Sequence, residues 1–524
     1  MDALVLEAKR RVNELLNKGF FISPELIPKI EQHIAELEFI LKNKSSIKAP
    51  LVIDENTLGL IKKKGIKCDW LEIEKLKAES ELKKDRAELD KVLKNVTQPR
   101  AVSGFNVEII KSFVDVSSDR KVEDFVGYFN SRYKLISSML LNRPELNNQI
   151  SIGRLKNKYD REQVSIIGLV REIAYTANNN IILTLEDPTG SINVIVTKKD
   201  NSLFAQASSI TLDEVIGVNG KTGRSVVFAS QIIWPDIPNI DIKRAQNEEY
   251  AIVLSDLHTG SKLFLEKEFL RFLRWINGEL GNETQKRIAN LTKYIFIAGD
   301  LVDGVGVYPE QFNELSIKDI YAQYNACAEL LSRIPKDKAV IVCPGNHDAL
   351  RLAEPQPPLN PELAKKLYSI PNIIMVSNPA LVNIAKTNSF PGFNVLMYHG
   401  YSFDYYVSNI EQIRNNGGYD KPEIIMQYML KRRHLAPSHG STLYVPYSDK
   451  DPLVIENVPD FFVTGHIHKS SIYNIPSKNV TLICGSCWQA KTSFQEKVGH
   501  EPEPCRVPII NLKTRKMKLL KFGG

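Results

Sequence analysis

The spacing of apolar positions divides the chain into three regimes. Leu4, Ala8, Val12, Leu15 and Leu16 recur at the 3.6-residue period of a helix, with Gly19 as a stop. Ser23–Pro24 reads as an N-cap followed by an N1 proline. Behind it Ile27, Ile30, Ile34, Leu37 and Leu41 mark one face of a second helix. Lys and Glu crowd residues 71–93, predicting an exposed helix that leads into a tether. Residues 1–95 are therefore expected to form an N-terminal helical domain. Pro99, Gly104 and clustered serines, with an apolar segment between Phe125 and Leu141, predict a linker with a docking helix over 96–148.

From 149 to 246 the period becomes two. Val164, Ile166 and Gly168–Val170 give one strand, Ile181–Leu185 a second, and Ile192, Val194 and Val196 a third after the turn at Asp187–Gly190. Val215–Val218 and Val226–Ile233 complete five short strands, the number that closes an OB-type β-barrel. Such a barrel can stack single-stranded bases on aromatic rings. Few aromatics lie on these strands, and docking of a protein is the somewhat stronger reading.

From 247 to 524 one device repeats. A short apolar run, read as a buried strand, ends in a loop that carries Asp, His or Asn. Ala251–Leu254 leads to Asp256 and His258, Tyr294–Ala298 to Asp300 and Asp303, and Ala339–Cys343 to Asn346, His347 and Asp348. Val395–Tyr398 leads to His399, and Phe461–Thr464 to His466 and His468. Ends of neighbouring strands in one sheet converge. Five of the nine histidines fall in these five loops, more than satisfied core histidines would explain.

Composition changes this picture little. The balance of 43% hydrophobic and 25% charged residues is that of a soluble globular protein. The start shows no basic segment followed by an apolar one, and no apolar run approaches the roughly 18–20 residues that span a bilayer. A soluble, intracellular protein is expected. The net charge of +7 permits a polyanionic partner without demanding one. Six scattered cysteines make no disulfide framework, and Cys484-x-x-Cys487 has no second pair to complete a zinc site.

The succession D-x-H, G-D-x-x-D-G, G-N-H-D, H-G and G-H-x-H resembles the calcineurin-like metallophosphoesterase superfamily. The resemblance implies a multidomain α+β chain ending in a calcineurin-like phosphoesterase β-sandwich flanked by helices. It further implies two divalent metal ions roughly 3.5–4 Å apart that activate a water. By matching position, Asp256, His258 and His468 would hold one metal and Asn346, His399 and His466 the other, with Asp300 bridging. Ligands without thiolate suit Mn²⁺, with Mg²⁺, Fe or Zn²⁺ as alternatives. His347 would be the general acid for the leaving alkoxide, its ring oriented by Asp348. Asp303 would either hydrogen-bond a ligand or serve only as a turn residue.

Between His399 and His466 lie Tyr401 and Phe403, then Lys431, Arg432, Arg433 and His434. These could hold a frayed DNA end, phosphates on cations and bases on rings. The other reading is a charged helix end among core tyrosines. With the barrel ahead of the phosphoesterase, Arg433–His434–Leu435–Ala436–Pro437 and Pro459–His468 resemble the small-subunit family of archaeal D-family DNA polymerases. That resemblance implies metal-dependent 3′→5′ exonuclease proofreading, a cytoplasmic location, and a large catalytic subunit as partner. It also implies contact with primer–template DNA and with a sliding clamp. A stand-alone repair nuclease, a phosphatase and a non-catalytic assembly subunit are the alternatives.

Overall fold

The computed structural model describes residues 10, 12–17, 20–23, 26, 32–42, 51–53, 55–64, 100–102, 104–114, 120–447, 450–497 and 499–523. The chain forms two compact units, 1–95 and 96–524.

The first unit is not purely helical. Strand β1 (Phe20–Ile22) pairs in parallel with β2 (Leu51–Ile53), Phe20 opposite Leu51. Helix Ile34–Lys42 lies between them in the chain, and helix Glu55–Lys64 follows. A crossover through a helix is what makes two strands parallel, and both strands are apolar triplets of β-favouring residues. Leu15, Leu37, Ile40, Ile53, Leu58 and Ile61 form its core. The expected helix over 71–93, and the helical positions Leu4, Ala8, Ile27 and Ile30, lie outside the described residues.

The second unit begins with β3 (Arg100–Ala101) and β4 (Val107–Lys111), followed by helix Val122–Leu140. This corrects the expected linker. β4 adds to an edge of a large sheet by pairing with Leu381–Ile384, 270 to 277 residues later. The docking helix is present, and its Ile136 and Leu140 pack with barrel residues Ile167, Leu169 and Val215.

The barrel is closed and five-stranded: β5 (Gln163–Tyr175), β6 (Ile181–Asp187), β7 (Gly190–Val196), β8 (Val215–Gly223) and β9 (Val226–Ile233), in the order β5-β6-β7-β9-β8. Every strand expected from the alternation is there. Helix Asn201–Ala207 is added between β7 and β8, capped by Asp200.

After the barrel come β10 (Tyr250–Leu254), β11 (Thr292–Ala298), β12 (Ala339–Cys343) and β13 (Ile373–Met375). They are followed by β14 (Ala380–Ile384), β15 (Phe393–Met397), β16 (Phe461–Thr464), β17 (Ser471–Asn474), β18 (Thr481–Cys484), β19 (Arg506–Asn511) and β20 (Met517–Lys521). One sheet runs β13-β12-β11-β10-β19-β20, the other β17-β18-β16-β15-β14-β4-β3. Alternation places each side chain. Ala251, Val253, Phe296, Ala298 and Ile341 point into the layer shared with Val382, Val395, Met397 and Val463 of the other sheet. Ile252, Leu254, Ile295, Ile297 and Val340 point the other way, into helices Glu266–Ile276, Glu283–Leu291 and Ile320–Leu331. β10, β11 and β12 are mutually parallel, as are β15 and β16. Their C-terminal ends therefore carry all five polar loops. Among the described residues, no helix is long and apolar enough to cross a membrane. Cys484 and Cys487 are buried free thiols.

Candidate metal centre

The five loops meet in a cavity of about 570 Å³ lined by His258, Asp300, Asn346, His347, His466 and His468. A larger hollow of about 910 Å³ lies on the barrel, away from this chemistry. Asp256, His258 and His468 form one donor group, and Asp300, His399 and His466 another. Within the first, His258 Nε2 is 3.1 Å from His468 Nε2, and His468 Nε2 is 3.5 Å from Asp256 Oδ1. Asp300 Oδ2 stands 3.3 Å from His399 Nε2 and 3.9 Å from His258 Nε2, so one carboxylate faces both groups. Asn346 Oδ1 completes the second group at 2.8 Å from His399 Nε2.

Such crowding of buried donors fits a pair of divalent cations. Three of the imidazoles are tied at Nδ1, which fixes the ring and turns Nε2 inward. His258 Nδ1 meets Asp303 Oδ1 at 3.1 Å, His399 Nδ1 meets the Ala298 carbonyl at 2.7 Å, and His468 Nδ1 meets the Gln495 amide at 2.8 Å. Asp303 is therefore the partner of His258 and more than a turn residue. Gln311 and Gln489 donate to its two carboxylate oxygens.

The backbone carries the same message. Asp256, His258, Asp300, His466 and His468 all have φ between 50° and 71°. A non-glycine residue in the left-handed region costs of order 1–3 kcal/mol and persists where surrounding structure enforces it. Glycines make the close approach possible. A methyl group on Gly345 would strike the Asp300 carboxylate, and one on Gly465 would strike Ser255 and Asp256.

Charges are distributed accordingly. Burial opposes ionisation of Asp300, but His399, His347 and His258 hold its carboxyl well below the usual range. Burial also opposes charge on His399, yet Asp300 and Asp256 raise it to about 10. His468 is raised as well, against its burial, by Cys487 and Asp256. A cation entering the site must displace these protons, so affinity falls as pH falls.

His347 lies half-buried beside the donors, its ring edge-to-face with His258 at 4.7 Å. Its Nδ1 meets the Asp303 carbonyl at 2.8 Å. The expectation that Asp348 orients this ring is corrected. Asp348 accepts from the Gly345 amide at 2.9 Å and from Tyr324 Oη at 3.2 Å, and so holds the loop instead. Burial pushes its carboxyl up to about 7.

Four of the expected DNA contacts are also corrected. Phe403 is fully buried in the core beneath the second sheet. Arg432 donates to Glu214 Oε1 of the barrel and to the Ser209 carbonyl, both at 2.8 Å. Arg433 donates to the Ile455 carbonyl at 2.7 Å. His434 Nε2 donates to Asp451 Oδ2 at 2.8 Å, while its Nδ1 accepts from the Ala436 amide at 3.0 Å. Arg432 and Arg433 are buried, with their guanidiniums on acceptors inside the fold. Lys431 is exposed, its Nζ 4.2 Å over the Trp234 ring. Tyr401 lines the cavity and lies edge-to-face on His466 at 5.8 Å.

The arrangement of His434 leaves no acceptor for a second proton, and burial with Arg132 nearby lowers its pKa to about 4. The unfolded value is about 6.5. This stabilisation is complete above pH 6.5 and is lost as pH falls toward 4, up to about 3 kcal/mol in total. Denaturant melts of the metal-free chain at pH 7.5 and 5 should show lower stability at pH 5. A His434→Asn variant should show a shallower pH slope.

Residues 251–472 match the family model for the B-subunits of DNA polymerases alpha and epsilon, and residues 164–233 match the OB-fold nucleic acid binding domain. The chain is 41% identical over 422 residues to the DNA polymerase II small subunit of Methanothermobacter thermautotrophicus, covering 80% of this chain and 83% of that one. It is 39% identical over 420 residues to the Archaeoglobus fulgidus small subunit, covering 80% and 81%. With the Pyrococcus furiosus small subunit it shares 38% identity over 411 residues, 77% of this chain but 64% of that one. Two-sheet core, closed barrel and relatives agree, and the chain belongs to the family of archaeal DNA polymerase II small subunits.

Proposed function

We propose that this chain hydrolyses the terminal phosphodiester at the 3′ end of DNA, supplying 3′→5′ exonuclease proofreading. The observation that carries the reading is the Asp300 carboxylate, shared between two groups of buried donors. Asp256, His258 and His468 would hold one divalent cation, Asn346, His399 and His466 a second, with Asp300 common to both. Bound there, two Mn²⁺ ions would supply the charge that polarises the phosphate and lowers the pKa of a water. His347, held at Nδ1 by the Asp303 carbonyl, keeps Nε2 as the atom that gives a proton to the departing 3′ oxygen. Gln311 and Gln489 fix Asp303, and through it both His258 and His347.

The partner this reading requires is a large catalytic subunit, because the sequence holds no nucleotide-phosphate loop or second carboxylate cluster for polymerisation. Primer–template DNA and a sliding clamp are its further partners, in the cytoplasm.

The test is a 3′-mismatched primer–template incubated with the purified chain, its large subunit and Mn²⁺, beside a His347→Ala variant. Stepwise loss of 3′ nucleotides is expected, slowed about 10²–10⁴-fold in the variant with metal stoichiometry unchanged. Absence of cleavage by the intact protein with two ions bound would sink the exonuclease reading and leave an assembly subunit. Faster turnover of a chromogenic monoester than of DNA would make it a phosphatase.

A further inference from the structure

Four imidazoles face the proposed centre, and one is held differently from the rest. His258, His399 and His468 are tied at Nδ1. His466 is tied at the opposite nitrogen, with Nε2 3.0 Å from Asp404 Oδ2. The remaining nitrogen of its ring, Nδ1, is then the atom left for the group it forms with Asp300 and His399. Its backbone fits this reversal. The His466 amide donates to the Asp256 carboxylate at 3.0 Å from a left-handed φ of 71°, and the ring lies edge-to-face on His399 at 5.1 Å.

Asp404 is itself aimed. Tyr419 Oη donates to its other oxygen at 2.9 Å, and both residues line the same cavity. The carboxylate projects from helix Phe403–Asn409, which begins four residues after His399. One short segment thus supplies a donor and the support of a second donor. The Asp404 side chain is 55% exposed, whereas the Asp303 side chain that does the same for His258 is fully buried.

We infer that Asp404 is a positioning residue: its carboxylate, aligned by Tyr419, fixes the ring of His466 so that Nδ1 is presented to Asp300 and His399. The inference rests on the dinuclear reading above. A carboxylate behind a metal-binding imidazole sets its tautomer and raises its basicity, and losing one typically costs about 10–100-fold in metal affinity. The effect should fall on one ion alone, because the donors around Asp256, His258 and His468 have their own supports.

The experiment is calorimetric titration of the metal-free full chain with Mn²⁺, for the wild type, Asp404→Asn, Asp404→Ala and Tyr419→Phe. The wild type should take two ions. Both Asp404 variants should keep one affinity unchanged and weaken the other about 10–100-fold, with a smaller loss in Tyr419→Phe. Their metal-free thermal unfolding should match the wild type. Two unchanged affinities in Asp404→Ala would overturn the inference, and so would equal weakening of both ions. A wild type that binds fewer than two ions would sink the dinuclear reading, and this inference with it.

Discussion

An Asp300→Asn variant should lose cleavage by roughly a thousandfold or more, the equivalent of several kcal/mol of charge stabilisation. The amide has nearly the shape of the carboxylate but only one oxygen and no charge. It cannot face His258 and His399 as a shared anion, so the bound Mn²⁺ should fall below two per chain. A second readout needs no metal. His399 is raised to about 10 by Asp300 and Asp256 working against its burial. Remove the nearer carboxylate charge and burial gains, so proton NMR should find the His399 ring titrating well below its wild-type value. Cleavage within tenfold of wild type would refute the role of Asp300, and an unmoved His399 titration would refute the electrostatic account.

The second large effect is on stability. Arg132, on helix Val122–Leu140, is wholly buried and donates to Asp451 Oδ2 at 2.6 Å and to the Pro437 carbonyl at 2.5 Å. It also donates to the barrel's Asp213 carbonyl at 3.2 Å. The guanidinium sits among the rings of Tyr128, Phe129 and Tyr444 at 4.9–5.6 Å. This one cation ties the helix, the barrel and the 434–454 segment together. Truncating one member of a buried pair strands the other charge, so Arg132→Met should cost about 3–5 kcal/mol. Adding Asp451→Leu removes the stranded anion but also the acceptor of His434 Nε2, so the double variant should lose less than the two single variants summed. Denaturant unfolding of the wild type, both single variants and the double variant measures this. A loss under about 1 kcal/mol in Arg132→Met would mean that the pair holds little together.

What could be read from the sequence is what local pattern encodes. All five barrel strands were visible because their alternation is regular, and the loops around Asp256, Asp300, Asn346, His399 and His466 because each follows an apolar run. β4 escapes the pattern because five residues are a weak signal and its partner Leu381–Ile384 lies far along the chain. The roles of Arg432 and Arg433 are hidden for a related reason. Sequence displays a cation but not the acceptor opposite, and Glu214 is 218 residues from Arg432. Gln489 could have been found, since it follows Thr481–Cys484 and Gly485 just as the other site residues follow their strands. Gln311, Gln495 and Asp404 have no such marker, for each joins the site through side-chain hydrogen bonds that the sequence does not display.

The left-handed backbone at Asp256, His258, Asp300, His466 and His468 has an evolutionary consequence. Glycine is at ease in that conformation, so drift toward it at these positions relieves conformational cost instead of incurring it. At Asp256 and Asp300 the buried carboxylates resist it, because the His466 and His347 amides donate to them. A lineage that came to need only the scaffold would shed the histidines first and keep its sheets and barrel, and on the reading proposed above selection for cleavage would retain them.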